Sequence, residues 1–192
     1  AFTGMDALAH CLEAFCSPFF HPLSQGIAIE GISIIHKYLL TAFSDGNNIE
    51  ARGNMLASSS MGSTAFQKGL GAIHSLSHPV GAIYNTHHGL TNAVFMPYVL
   101  IKNKDAIENR IESLARYINL PDPNFDGFIK WILDLRNKLA VPHTLKELIK
   151  DDEKFEEMSV MAFNDPSTGG NPIQLTDKDF LQLYRDAYNG KL

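Results

Sequence analysis

GLGAIHSLSHPVGAIYNTHHG, residues 69–89, carries four of the chain's eight histidines: His74, His78, His87 and His88. An even spread over 192 residues would put fewer than one in that fifteen-residue window. Apolar residues recur through it at helical steps, and glycines bound it on both sides, so the spacing predicts a helix over roughly 72–84. Pro79 falls inside that span and is expected to bend the helix or end its first half. His74 and His78 stand at i and i+4, on one helix face.

A second stretch repeats the pattern. In GMDALAHCLEAF, residues 4–15, Met5, Leu8, Leu12 and Phe15 mark the buried face of a helix, and Asp6 and His10 are again four apart. Helical periodicity continues along the rest of the chain. Further helices are expected at about 23–43, 49–66, 90–102, 106–118, 125–139, 155–163 and 177–188. The helix at 49–66 is rich in small residues (ASSSMGSTA, 57–65) that permit close helix approach. The last opens on a capping-box pattern, Thr176 with Asp179, and closes at Gly190. Residues 85–89 read as a loop and 119–124 as a turn. DPSTGGNP, 165–172, reads as a surface loop and not a phosphate cradle. Strands are nearly absent, and no repeat or long linker divides the chain. The expected fold is all-α, one helical domain over residues 1–192.

A chain of this length buries about 70% of its unfolded surface. With 45% hydrophobic and 19% charged residues it is globular, and a net charge of −5 with scattered basic residues leaves no footprint for nucleic acid or an anionic membrane. No apolar run is expected to reach bilayer-spanning length, and no leader pattern opens the chain. Cys11 and Cys16, five apart on one helix, cannot reach each other and read as free thiols of a reducing cytoplasm. The start at Ala1, without Met, is expected to mark a piece of a longer protein.

One carboxylate and several imidazoles offered from rigid helices form an O/N donor set suited to a divalent ion such as Fe²⁺ or Zn²⁺. Three or four protein ligands with an open position would make it catalytic. Taken singly, a helical histidine is more often a surface or hydrogen-bonded residue, and His21, His36 and His143 are read so. Two i, i+4 pairs together with His88 point to a metal site. Spacing alone separates neither His74 from His78 nor His87 from His88.

GMDALAHCLEAF followed by GLGAIHSLSHPVGAIYNTHHGLTNAVFMPYVL resembles the metal-binding half of the iron-containing (group III) alcohol dehydrogenases, a family sharing its two-domain plan with glycerol dehydrogenases and dehydroquinate synthases. The likeness runs along essentially the whole chain, including Asn171-Pro172 and the closing AYNG. It implies metal ligands Asp6, His10, His74 and His88. It leaves His78 beside the reacting groups, lining the place where substrate and nicotinamide meet and passing the proton towards solvent, and His87 as a solvated loop residue. It implies Fe²⁺ (or Zn²⁺) as a Lewis acid on the oxygen of a small alcohol or aldehyde, and hydride transfer to NAD or NADP. The pattern departs from the family in lacking the N-terminal dinucleotide-binding domain, so the fragment alone is expected to bind metal without turnover and to self-associate through uncovered apolar surface. The segment from Phe66, a candidate pocket wall, to His74 is also one residue shorter than in the family.

Three rivals remain. A metal-dependent hydrolase on a helical scaffold would want an adjacent His-Asp or paired Glu-x-x-His motifs, which are absent. A dehydroquinate synthase-like lyase would want more Arg and Lys around its substrate. A non-enzymatic helical interaction domain would bind no metal.

Overall fold

The computed structural model describes residues 1–192 and contains helices and 3₁₀ turns without a strand. The helices are α1 (Phe2–Cys16), α2 (Pro22–Ser44), α3 (Ile49–Ala65), α4 (Ala72–Tyr84), α5 (His88–Lys102), α6 (Lys104–Tyr117), α7 (Phe125–Lys138), α8 (Phe155–Phe163) and α9 (Asp177–Asn189). Short 3₁₀ turns lie at 66–68, 145–147 and 166–170. The all-α expectation holds, with element ends within a residue or two of those read from periodicity.

α1 is the axle. It is buried on almost every side, as a helix with apolar residues all round must be. α2 and α3 pack on it and on each other, and α5 crosses its opposite flank. α4 lies between α5 and α8, α8 carries α9, and α6 pairs with α7. One core cluster of 48 buried residues unites them. Close approach within the α1–α2–α3 layer depends on small residues: a Cβ on Gly31 would stand 2.7 Å from Cys11 Sγ, and one on Gly62 would stand 3.1 Å from His10 Cβ.

Four expectations are corrected. Of the two outcomes expected at Pro79, an end to the first half of α4 does not occur: the helix runs unbroken to Tyr84. Two carbonyls of the same turn also accept from side chains: Ser77 Oγ donates to His74 O (3.1 Å), and the Tyr184 hydroxyl of α9 donates to Leu76 O (2.7 Å). His88 is not a loop residue but the first residue of α5. His87, exposed as expected, is its N-cap, with Nδ1 accepting from Leu90 N at 3.4 Å. The 165–172 segment is partly buried: Gly170 and Asn171 are enclosed, and Asn171 exchanges two 2.9 Å hydrogen bonds with Asn103. Finally, α2, at 23 residues, is by length and composition apolar enough to cross a membrane. Here it is a packing helix that seats Ala28, Ile32, Ile35 and Leu39 against α1 and α3.

Candidate metal centre

α1, α4 and the start of α5 bring their polar groups to one place. Asp6 Oδ1 lies 3.9 Å from His74 Nε2 and 3.5 Å from His88 Nε2. One ligand atom from each of the three residues falls within 4.8 Å of the others. A coordination sphere with bonds of about 2.1 Å separates adjacent donors by roughly 3.0–3.5 Å, so this donor set is of the right type for a divalent ion, with Asp6 and His88 already at 3.5 Å and the wider separations, up to 4.8 Å, drawing in around it. His10 is adjacent: its ring centroid lies 4.4 Å from that of His74, and its Nδ1 is 3.7 Å from Asp6 Oδ1.

Each ring's orientation follows from the partner of its other nitrogen. His10 Nδ1 donates to the Asp6 carbonyl at 2.9 Å, the residue one turn earlier, which leaves Nε2 bare. His74 Nδ1 donates to Glu13 Oε2 at 2.6 Å, so in the neutral ring the lone pair sits on Nε2, on the Asp6 side. Asn92, one turn after His88, turns its amide nitrogen into the same space. Its Nδ2 is 2.7 Å from Asp6 Oδ1, 3.0 Å from His88 Nε2 and 3.3 Å from His74 Nε2. Its Oδ1 is buried without a partner.

Burial holds His10 and His88 below the ordinary imidazole range, with the neighbouring His74 adding to the effect and Asp6 opposing it. Burial also disfavours charge on His74, yet the Glu13 carboxylate outweighs it and raises that ring's pKa. A more basic ring nitrogen is a stronger ligand.

The approach to Oδ1 of Asp6 is made possible by Gly89. A Cβ there would strike the Phe2 carbonyl oxygen and come within 3.0 Å of Asp6 Cβ. Asn85, in the left-handed region at φ 53°, turns the chain sharply from α4 into α5 and so swings His88 back over His74.

His78 stands at the mouth, 43% exposed, its ring stacked on His88 at 5.4 Å and 12°. Its Nδ1 donates to Asp165 Oδ2 at 2.8 Å. Burial works against a charge on Asp165, and the hydrogen bonds from His78 and Ser167 outweigh it, keeping the carboxyl below its usual range. Phe66 lies on the other side, its ring 6.0 Å from that of His10. The remaining histidines do other work. His21 caps α2 by accepting from Ser24 N, and His36 packs edge-on to Trp131.

Of the residues singled out from the sequence, Asp6, His10, His74, His78 and His88 lie together and His87 lies outside. Glu13, Asn92 and Asp165 were missed. Glu13 had a readable signal, three residues after His10 on the same helix face, and so had Asn92, four after His88. Asp165 had none, being 87 residues from the histidine it meets.

Residues 1–188 match the C-terminal part of the Fe-containing alcohol dehydrogenase family. The chain is 36% identical to a 4-hydroxybutyrate dehydrogenase of Cupriavidus necator, over 97% of this chain and 51% of that protein. Among solved structures, a 1,3-propanediol oxidoreductase superposes with a TM-score of 0.92 at 29% identity, covering 98% of this chain and 51% of that one. An iron-containing alcohol dehydrogenase from Thermococcus thioreducens does so with 0.89 at 30%, covering 97% and 50%. The chain thus spans about half the length of the relatives it matches. It belongs to the Fe-containing alcohol dehydrogenase family, of which it represents the C-terminal, all-helical part.

Proposed function

We propose that this chain is the metal-binding and substrate half of an NAD(P)-linked alcohol dehydrogenase that interconverts a small alcohol and its aldehyde or ketone. The observation that carries the reading is the convergence of Asp6, His74 and His88 donor atoms within 4.8 Å, with His10 beside them. Asp6, His10, His74 and His88 would hold Fe²⁺ or Zn²⁺. When bound, the ion supplies Lewis-acid polarisation of the substrate oxygen. His78, exposed on one edge and held by Asp165 on the other, has the position and the type of group to accept the alcohol proton and release it to solvent. Phe66 offers an apolar wall beside His10.

In this reading NAD(P), when bound, would supply the hydride acceptor, and it would be held by a half that residues 1–192 do not include. The twofold greater length of the relatives supports that division.

The test is metal stoichiometry and affinity. Protein prepared without a His-tag and reconstituted with Fe²⁺ or Zn²⁺ is expected to hold about one ion per chain. Asp6→Ala, His10→Ala, His74→Ala and His88→Ala should each lose more than about 100-fold in affinity, beyond the 10–100-fold typical of an outer partner, while His87→Ala stays near wild type. Stoichiometry near zero after reconstitution would overturn the reading. Turnover of NAD⁺ and primary alcohols by the 192-residue chain alone would overturn the division of labour.

A further inference from the structure

Glu13 is the most deeply buried acidic side chain near the site, 6% exposed, and the proposed chemistry does not use it. Its two oxygens are fully assigned. Oε2 accepts from His74 Nδ1 at 2.6 Å, and Oε1 accepts from the backbone N–H of Ile73 at 2.7 Å. That N–H is one of the unpaired donors in the first turn of α4, whose N-cap residue Gly71 has no side chain to satisfy it. Asn171 Oδ1 takes its neighbour, Ala72 N, at 3.3 Å.

We infer that Glu13 is a positioning residue: one carboxylate sets both the tautomer of His74 and the seating of the helix that carries it, so that Nε2 is the nitrogen left free for a divalent cation. This rests on the metal reading above. The physical reason is a count of donors and acceptors. An ionised carboxylate only accepts, and here it meets one N–H that cannot change, the backbone amide, and one ring nitrogen that can. The ring must put its proton on Nδ1 to satisfy the carboxylate, and the lone pair is thereby forced to Nε2. Through Ile73 N, the same group fixes where α4 begins relative to α1. His74, two residues into α4, then has little freedom to rotate or slide away from Asp6.

Glu13→Gln tests this with almost no change in volume. The amide has one acceptor for two N–H groups. Since only the ring can adapt, the Gln carbonyl goes to Ile73 N, its NH₂ faces His74 Nδ1, and the ring moves its proton to Nε2. In ¹⁵N-imidazole NMR spectra of the metal-free 192-residue chain, followed upward in pH until the His74 shifts stop moving and the ring is neutral, since Glu13 raises its pKa, wild-type His74 is expected to carry its one ring proton on Nδ1 and the variant on Nε2. Zn²⁺ affinity is expected to fall 10–100-fold in the variant, the usual effect of losing an outer partner of a ligating histidine. In a His74→Ala background the same substitution should cost less than about twofold, which a merely structural role would not produce.

A neutral wild-type ring carrying its proton on Nε2 and not on Nδ1 would overturn the inference, and it needs no variant to fold. An unchanged His74 tautomer in Glu13→Gln, or an equal affinity loss with and without His74, would also overturn it. If the wild-type chain took up no Zn²⁺ at all, the metal reading would fail while the tautomer still decided the role of Glu13.

Discussion

Asp179 shows how much one carboxyl can be asked to do away from the site. It closes the capping box at the start of α9, accepting from Thr176 N at 2.9 Å and from the Thr176 hydroxyl at 2.7 Å, and it pairs with Lys102 of α5 at 2.8 Å. The Lys102 hydrogen bond first, and then the Thr176 backbone, pull its pKa down to about 2. A carboxyl whose folded pKa lies below its unfolded value, about 3.9, binds fewer protons in the fold. Its contribution is therefore fully present above pH 4 and is lost as pH falls through 2. Asp179→Asn is expected to lower Tm at neutral pH, with the gap to wild type closing between about pH 4 and pH 2; thermal melts across that range would show it. Residue pairs of this kind were legible early, because Thr176 and Asp179 are neighbours in sequence. Asp165 and His78 were not, since nothing local to either predicts the other.

At the level of the element, the turn from α4 to α5 decides whether the site exists. His74 and His88 belong to different helices, and they meet because Asn85 reverses the chain and Gly89 admits α5 against Phe2 and Asp6. Gly89→Ala puts a Cβ into the Phe2 carbonyl, and backbone cannot swing aside as a flexible side chain does. The expected cost is about 1–3 kcal/mol of stability, typical of overpacking. Metal affinity should fall with it, because the shift carries His88 away from Asp6. Circular dichroism melts and Zn²⁺ competition on the one variant measure both. A stable protein with unchanged affinity would show that α5 has slack which the contacts deny. The sequence marked 85–89 as a break but not its geometry. Whether His88 ends a loop or begins a helix depends on capping by His87, and histidine is an unusual cap.

For the molecule as a whole, the polar donors come from three different helices, so an ion that binds them ties α1, α4 and α5 together. Binding only to the folded state raises stability by about 2.7 kcal/mol at a hundredfold excess over Kd. For a chain of 192 residues that is a Tm rise of roughly 5–11 °C. Zn²⁺ or Fe²⁺ is expected to produce this rise in the wild type, a chelator to reverse it, and Asp6→Ala to abolish it. A calorimetric scan with and without ion reads it directly, and equal shifts in wild type and Asp6→Ala would place the ion elsewhere.

Sequence alone determined the helical class and most element boundaries, and it marked the Asp6/His10 and His74/His78 pairs with the His87–His88 doublet as one candidate donor set. The choice of His74 over His78 and of His88 over His87 rested on the family likeness and not on spacing. Helical period and i, i+4 spacing are local properties, and residue types restrict which metals they suit. Tertiary structure decided what spacing has no access to: that Glu13 and Asn92 face the same point, that Asp165 reaches His78 across 87 residues, and that Pro79 sits inside an unbroken helix. Those outcomes depend on where separate helices cross. Crossing is set by packing around small residues such as Gly62 and Gly89, a property of the assembled core and not of any one segment.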